Sequence, residues 1–195
     1  MAQPPAGGGK GTFMIIGIII VALIVIVVAW VVSTQRGLVH TDELCGNALS
    51  QIGVQQASRW DALTALAQLT KNYSEHEYKA LMDTVGARRP IDAHSKAAEV
   101  DRQENMITEA FTHLMAVAEA YPDLKAQQVY KQTMDSVNQY ENNVRRSRMI
   151  YNDTVTKFNR MVRQIPGCFL AGPLGFSVRE YLETEKGKTD MPSMA

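Results

Sequence analysis

The chain has 195 residues and carries 20 Lys and Arg against 20 Asp and Glu, which gives a formal net charge of zero. This balance provides no whole-chain electrostatic reason to bind nucleic acid, so we expect no nucleic-acid partner. The two cysteines, Cys45 and Cys168, lie far apart and match no metal-ligand spacing. Their pattern argues against a structural zinc site and against a dense disulfide framework.

Near the N-terminus, residues 13–32 are all apolar apart from one glycine. As a helix this stretch spans about 30 Å, the thickness of the hydrocarbon core of a bilayer. The alternative is a cleaved signal peptide, but its apolar region is usually shorter, and no small-x-small cleavage site follows this one. The sequence therefore predicts an uncleaved transmembrane helix in contact with membrane lipid, after a disordered tail over residues 1–12.

Residues 33–183 are predicted to form one all-α domain, because apolar residues recur at helical spacing and no strand-like alternation competes with them. No proline lies in residues 33–37, so the first bundle helix is expected to continue from the transmembrane helix. Ser74 and Glu77 have the spacing of a capping box, so residues 75–87 form either a short separate helix or the end of the first one. We favour the continuation.

Two later helices carry apolar residues at steps of seven, which is typical of coiled-coil-like packing. The first is predicted from about Lys96 to Ala120, after a break at Gly86 to Pro90. The second follows a tight reversal at Tyr121-Pro122-Asp123-Leu124 and extends to Ile165, before Pro166-Gly167. The two columns comprise Val100, Ile107, Leu114 and Tyr121, followed by Tyr130, Val137, Val144, Tyr151, Phe158 and Ile165. Short connections favour an antiparallel, up-and-down bundle of three or four helices.

The segment after Pro166 is too apolar for a free tail and is predicted to fold back on the bundle, whereas residues 184–195 are predicted to be disordered. The apolar residues concerned are Phe169, Leu170, Leu174, Phe176, Tyr181 and Leu182.

Several short motifs follow the apolar span in a characteristic order. They are Ser50-Gln51-Ile52, His76-Glu77, the run Ala118-Glu119-Ala120-Tyr121-Pro122-Asp123-Leu124-Lys125-Ala126, and then Glu141-Asn142, Arg148, Tyr151-Asn152, Asn159, Pro166, Gly175-Phe176 and Tyr181. In this order, over nearly the whole chain beyond the tail, the sequence resembles the bacterial LemA family. The resemblance implies a single-pass membrane protein with a helical-bundle domain and a poorly defined biochemical role. A branch of that family is associated with magnetosome membranes.

The resemblance also assigns structural roles to the family-motif residues Tyr121, Pro122, Asp123, Leu124, Tyr151, Asn152, Pro166, Gly175 and Phe176. Two segments depart from the family pattern. Gly53 stands where the family usually has an acidic residue, and Leu63-Thr64-Ala65-Leu66 replaces a Leu-Ile/Val-Pro-Asn-Leu segment. The second change makes the first helix more regular and puts in doubt any partner contact that the family makes there.

No catalytic, cofactor-binding or metal site is predicted. His76-Glu77 lacks a second histidine at the spacing that would place two ligands on one helical face, so a cap or surface pair explains it better. The other histidines share no motif, and no small-molecule substrate is evident. For Tyr151-Asn152 we favour a structural reading, in which the tyrosine hydroxyl finds a buried partner and Asn152 caps or cross-links a neighbouring helix.

Basic residues are concentrated late in the last helix, and they are candidates for lipid or partner contact: Arg145, Arg146, Arg148, Lys157, Arg160 and Arg163. The alternative is a solvated helix face. Four alternating helices would place this end of the bundle beside the membrane, whereas three would place it far away.

Together these features suggest a non-enzymatic scaffold or self-assembling protein, partnered by further copies or by another membrane protein. A lipid-binding or membrane-shaping module that uses the basic helix face is the alternative. The family resemblance and the short N-terminal tail without acidic residues favour a bacterial inner membrane location with the bundle in the cytoplasm.

Overall fold

Periodic apolar residues form helices through most of residues 9–183, the part of the chain that the computed structural model describes. The helices are α1 (Gly9–Thr70), α2 (Glu75–Gly86), α3 (Ala97–Ala120), α4 (Pro122–Ala126), α5 (Gln128–Arg163) and α6 (Gly167–Ala171). No strand occurs within the described range, and the predicted all-α class is confirmed. The disorder predicted for residues 1–8 and 184–195 lies outside the described residues.

α1 contains both the apolar stretch and the first bundle helix, without a break between them. It begins at Gly9 rather than at Phe13, and its first part is long and apolar enough to cross a membrane. Side chains of residues 13–30 are exposed, whereas Leu38 and Leu49 are fully buried. The predicted continuity of anchor and bundle is confirmed.

The favoured continuation of α1 into residues 75–87 is wrong. α1 ends at Thr70, whose carbonyl oxygen accepts hydrogen bonds from the backbone N–H groups of Tyr73 and Ser74. Ser74 then adopts an extended conformation, and its hydroxyl accepts a hydrogen bond from the Glu77 N–H at 3.3 Å. A serine in this geometry caps a new helix, so α2 begins at Glu75.

Between α2 and α3 the chain runs along α1 as an extended segment, residues 87–96. At one point it comes so close that a Cβ on Gly53 would lie 2.1 Å from the Ile91 carbonyl oxygen. Only glycine fits this position, which explains why an acidic side chain cannot occupy it. The predicted break at Gly86 to Pro90 and the predicted extent of α3 agree with the structure.

The predicted last helix is interrupted at Gln127, whose ψ of 133° lies outside the helical range, so α4 and α5 are separate. The two columns of apolar residues face the core: Val100, Ile107, Leu114, Tyr130, Val137, Val144, Tyr151 and Phe158 are buried. Ile165, the last residue of the second predicted column, is not buried with the others. It is 76% exposed, because α5 ends at Arg163 and Ile165 lies in the turn that follows.

α5 packs along α1 in the opposite direction, since the Gln127 side chain donates to the Tyr73 hydroxyl while Met161 lies against Gly37. The bundle therefore has a distal end near Tyr73 and a proximal end near the anchor. Its buried apolar residues form two clusters. The distal core joins α1, α2, α3, α4 and α5, and the proximal core joins α1, the start of α3, the end of α5, α6 and Leu182.

Candidate functional site

The last described segment, residues 172–183, returns along α5 towards the distal end, and we name it the C-terminal strap. Its reversal begins where the Phe176 N–H donates to the Ala171 carbonyl oxygen at 2.8 Å. Gly175 has a φ of +81°, a backbone conformation that favours glycine. The predicted fold-back of this segment is confirmed: Leu182 is 2% exposed, and Phe176 packs edge-on against Phe158.

Two asparagines of α5 hold the strap through its backbone. Asn159 accepts a hydrogen bond from the Arg179 N–H at 2.8 Å and donates to the Arg179 carbonyl oxygen at 2.9 Å. Asn152 accepts from the Leu182 N–H at 3.0 Å and donates to the Leu182 carbonyl oxygen at 3.1 Å. A side-chain amide has both a donor and an acceptor, so each asparagine satisfies both backbone groups of one strap residue.

The spacing of these contacts matches the two backbone geometries. Asn152 and Asn159 are seven residues apart, about 10.5 Å along a helix, whereas Arg179 and Leu182 are three residues apart, about 10 Å along an extended chain. The strap therefore stays in register with α5 without distortion. We predicted that Asn152 would cap or cross-link a neighbouring helix; instead it binds the strap, which has no helical structure.

Tyr151 adds a third contact between the strap and the core. Its hydroxyl donates to the Glu180 carbonyl oxygen at 3.0 Å, and its ring lies in the proximal core at 2% exposure. Burial raises the pKa of the Tyr151 hydroxyl, which favours its protonated, hydrogen-bond-donating form. Tyr151 therefore contributes both packing in the proximal core and a hydrogen bond to the strap.

Ion pairs connect the strap to two further helices. Arg179 donates from Nε to Asp42 of α1 at 2.8 Å, and this hydrogen bond raises the pKa of Arg179. Arg148 of α5 donates to Asp101 of α3 at 2.6 Å, and the same pair binds both the N–H and the carbonyl oxygen of Glu183. The strap therefore joins α1, α3 and α5 at the proximal half of the bundle.

The structure separates the predicted basic residues into two groups. Arg148 is partly buried, where it binds Asp101 and the Glu183 carbonyl oxygen. The others have exposed side chains on α5: Arg145, Arg146, Lys157, Arg160 and Arg163. Arg145 pairs with Glu141 one turn earlier. Because α5 runs towards the anchor, Arg160 and Arg163 lie at the proximal end.

The remaining family-motif residues lie at turns. At the distal end Tyr121 packs on Tyr73 with ring centroids 5.8 Å apart, Pro122 and Asp123 occupy the first turn of α4, and Leu124 is fully buried. At the proximal end Pro166 caps the short helix α6. These residues shape the two ends of α5 rather than a cavity.

A buried polar cluster in the middle of the bundle was missed by the sequence analysis. Arg59 of α1 pairs with Glu104 of α3, and its guanidinium lies 5.8 Å from the Phe111 ring centroid. Gln56 donates to Glu104 at 3.0 Å and to the Val100 carbonyl oxygen at 3.3 Å. The sequence positions of Gln56 and Arg59 could have indicated their burial, because both share a helical face with the apolar residues around them.

His76 and His113 lie in the distal half, away from the strap contacts, whereas Cys45 lies beside Arg179 and Tyr151. Glu77 lies in the first turn of α2 and pairs with His113 at 2.6 Å. The adjacent His76 is exposed at the surface. Cys45 is buried in the proximal core, and burial raises the pKa of its thiol from 9.0 to about 11. Cys168 is exposed on α6.

Comparison with known proteins agrees with this architecture. The model of the LemA family matches residues 48–195. Over 83 residues the chain is 34% identical to the magnetosome proteins MamQ 1 and MamQ 2 of Paramagnetospirillum magneticum, which covers 43% of this chain and 30% of each relative. The chain thus matches less than a third of the length of these relatives. Because the family match extends over most of the chain, this protein belongs to the LemA family.

Proposed function

We propose that the protein is a non-enzymatic, membrane-anchored helical scaffold, which assembles with copies of itself or with other membrane proteins at a bacterial inner membrane. The continuity of α1 carries this proposal. A flexible tether would be enough for attachment alone. An unbroken helix instead transmits the orientation of the membrane-spanning part to the bundle, which is useful where partners must meet in a defined geometry.

The junction between anchor and bundle is also supported from the side. A Cβ on Gly37 would lie 2.9 Å from the terminal methyl of Met161, and the Thr41 hydroxyl lies 3.4 Å from the Met161 sulfur. The end of α5 therefore packs against α1 within a few turns of the apolar stretch. Partial similarity to two magnetosome proteins further supports a membrane-associated role.

An insertion experiment tests whether this rigid junction matters. A flexible Gly/Ser insert between Ser33 and Thr34 should lower the yield of cross-linked assemblies several-fold while circular dichroism of the bundle stays unchanged. The matched control is an Ala-rich helical insert of equal length, about two turns, which restores continuity and should retain assembly. Equal yields of assembly with both inserts would show that α1 only attaches the bundle to the membrane and that its continuity is not needed. A wild-type protein that is strictly monomeric and captures no partner would refute the scaffold.

The second candidate is a lipid-binding or membrane-shaping module that uses the basic face of α5. The exposure of Arg160 and Arg163 at the proximal end favours it. Basic residues near an anionic membrane surface contribute about 1 kcal/mol each. Charge reversal at these two positions should weaken recruitment of anionic lipid around the full-length protein, and unchanged lipid composition in the extracted complexes would exclude this candidate.

Labelling from outside intact cells tests the proposed cytoplasmic location of the bundle, with a cysteine placed at the exposed distal position by Glu119→Cys and with Cys168→Ser. A cytoplasmic bundle predicts no reaction with a membrane-impermeant maleimide until the cells are lysed. Reaction before lysis would place the bundle on the outer side.

A further inference from the structure

The turn that joins α5 to the strap carries large apolar side chains on its surface. We name residues 164–174 the base turn; it includes α6 and the first three residues of the strap. Ile165 is 76% exposed, Phe169 is 67% exposed and Leu174 is 40% exposed. Exposed apolar side chains of this size that share one short turn are typical of an interaction site. The position of the turn relative to α1 indicates its partner.

Contacts with α1 give the level of the base turn relative to the membrane. Met161 lies against Gly37, which is about 7 Å along the helix axis from Val32, the last residue of the apolar stretch. α5 approaches the anchor as it proceeds, and its last residue, Arg163, lies about 3 Å further along the axis than Met161. The end of α5 therefore lies within about 5 Å of the level of Val32, and Ile165 follows it by two residues in the turn.

This level corresponds to the headgroup layer, which is roughly 5–7 Å thick on each side of the hydrocarbon core. The turn cannot leave this level without separating α6 from α1, because Ala171 of α6 is buried with Leu38 of α1 in the proximal core. Contact between the base turn and the bilayer surface thus follows from the packing of the bundle on α1.

Charge around the base turn complements an anionic lipid surface. Arg36 on α1 and Arg160 and Arg163 on α5 are exposed at the same end of the bundle. Apolar side chains flanked by basic ones are typical of segments that lie in the membrane interface, with the apolar groups at the acyl boundary and the cations at the headgroups.

We propose that the base turn is a second membrane contact, in which Ile165 and Phe169 insert into the leaflet from which α1 emerges. The occupant of this apolar surface is the lipid interface itself, because the turn lies where the membrane-spanning part of the chain ends. Contact at two points in one leaflet fixes the tilt of the bundle, which a single helix would leave free to vary. The inference rests on the anchor crossing the bilayer, as in the proposed function, and is independent of self-assembly.

The native cysteines provide the test. Cys168 lies beside Phe169 and is exposed, whereas Cys45 is buried, so a spin label can be attached to Cys168 of the full-length protein. The protein is placed in single-copy nanodiscs of anionic phospholipid, and collision of the label with oxygen and with a water-soluble nickel chelate is measured. The matched control carries Cys168→Ser and Glu119→Cys, which moves the label to an exposed position at the distal end.

The label at Cys168 should collide with nickel several-fold less often than the distal label, and with oxygen more often. Replacing Ile165 and Phe169 together by aspartate should return nickel access at Cys168 to the distal value, with unchanged circular dichroism because both side chains are exposed. Equal nickel access at the two labels of the unsubstituted protein would overturn the proposal. So would protection at Cys168 that requires two copies in one disc, since a second copy would then be the occupant. Failure of the insertion experiment leaves these outcomes unaffected.

Discussion

The two halves of the bundle are held together by different interactions. In the distal half, α1 to α5 enclose a core of buried apolar side chains. In the proximal half α2 is missing, and the extended segment 87–96 and the C-terminal strap complete the fold. The strap depends on side chains that bind its backbone, above all Asn152, Asn159 and the pair Arg148–Asp101. The half nearest the membrane can therefore open locally by releasing one segment, whereas the distal half opens only by separating helices.

The largest change in stability is expected when a cavity is created in the distal core. Leu114 is fully buried in α3, and Leu114→Ala should lower the free energy of unfolding by about 2–5 kcal/mol. Urea denaturation of the detergent-solubilised protein measures the change. The neighbouring Met115 is 44% exposed, and Met115→Ala should change stability by less than about 0.5 kcal/mol. Equal effects of the two substitutions would contradict the distal core described above.

A second test concerns the close approach of the extended segment to α1. Gly53→Ala should cost about 1–3 kcal/mol, because the new Cβ would meet the Ile91 carbonyl oxygen and push the segment away. Gly86→Ala is the control: a Cβ there has no neighbour within 4 Å, and the change should leave stability unaltered or raise it by up to about 1 kcal/mol. Thermal unfolding followed by circular dichroism compares the variants, and a neutral Gly53→Ala would show that the segment is loosely held.

Release of the strap is the third test. Asn159→Ala removes both hydrogen bonds to Arg179 and should cost about 1–2 kcal/mol. Its specific signature is faster hydrogen exchange at the Arg179 and Leu182 amides, with no change in the distal core. Asn142→Ala, an exposed position on the same helix, should change neither quantity. Exchange that rises equally in both halves would mean that the halves are not independent.

The smallest effect is expected at Cys45. Burial raises the pKa of its thiol to about 11, so the folded state keeps it neutral while the unfolded chain ionises it above pH 9. Its contribution to stability is complete below pH 9 and is lost as the pH rises through about 11. A thiol reagent at about pH 8 should modify Cys168 rapidly and Cys45 slowly, and Asn159→Ala should accelerate only Cys45. Equally fast modification of both thiols would show that the proximal core is open.

The contrast between the halves also explains how much could be predicted. The apolar columns through Leu114 and Val137 identified the helical faces, because burial follows helical periodicity. The asparagine contacts could not be found in this way, since an extended strap binds through its backbone and leaves no repeat in the sequence. The break at Ser74 was visible as a capping signal, but local spacing alone could not decide it against continuation. Gly53 was noticed as a departure, and only the position of Ile91 gave it a reason.

One ion pair limits when the proximal half of the bundle can complete its folding. Asp42 and Arg179 are separated by 137 positions in the chain, so their contact cannot exist until the chain has been synthesised beyond Arg179. The apolar stretch emerges from the ribosome long before then and can enter the membrane while the rest is incomplete. Contacts between such distant residues also form slowly, because a long loop must close first. During biosynthesis the part of the bundle beside the bilayer is therefore the last to close, although its anchor is the first to arrive.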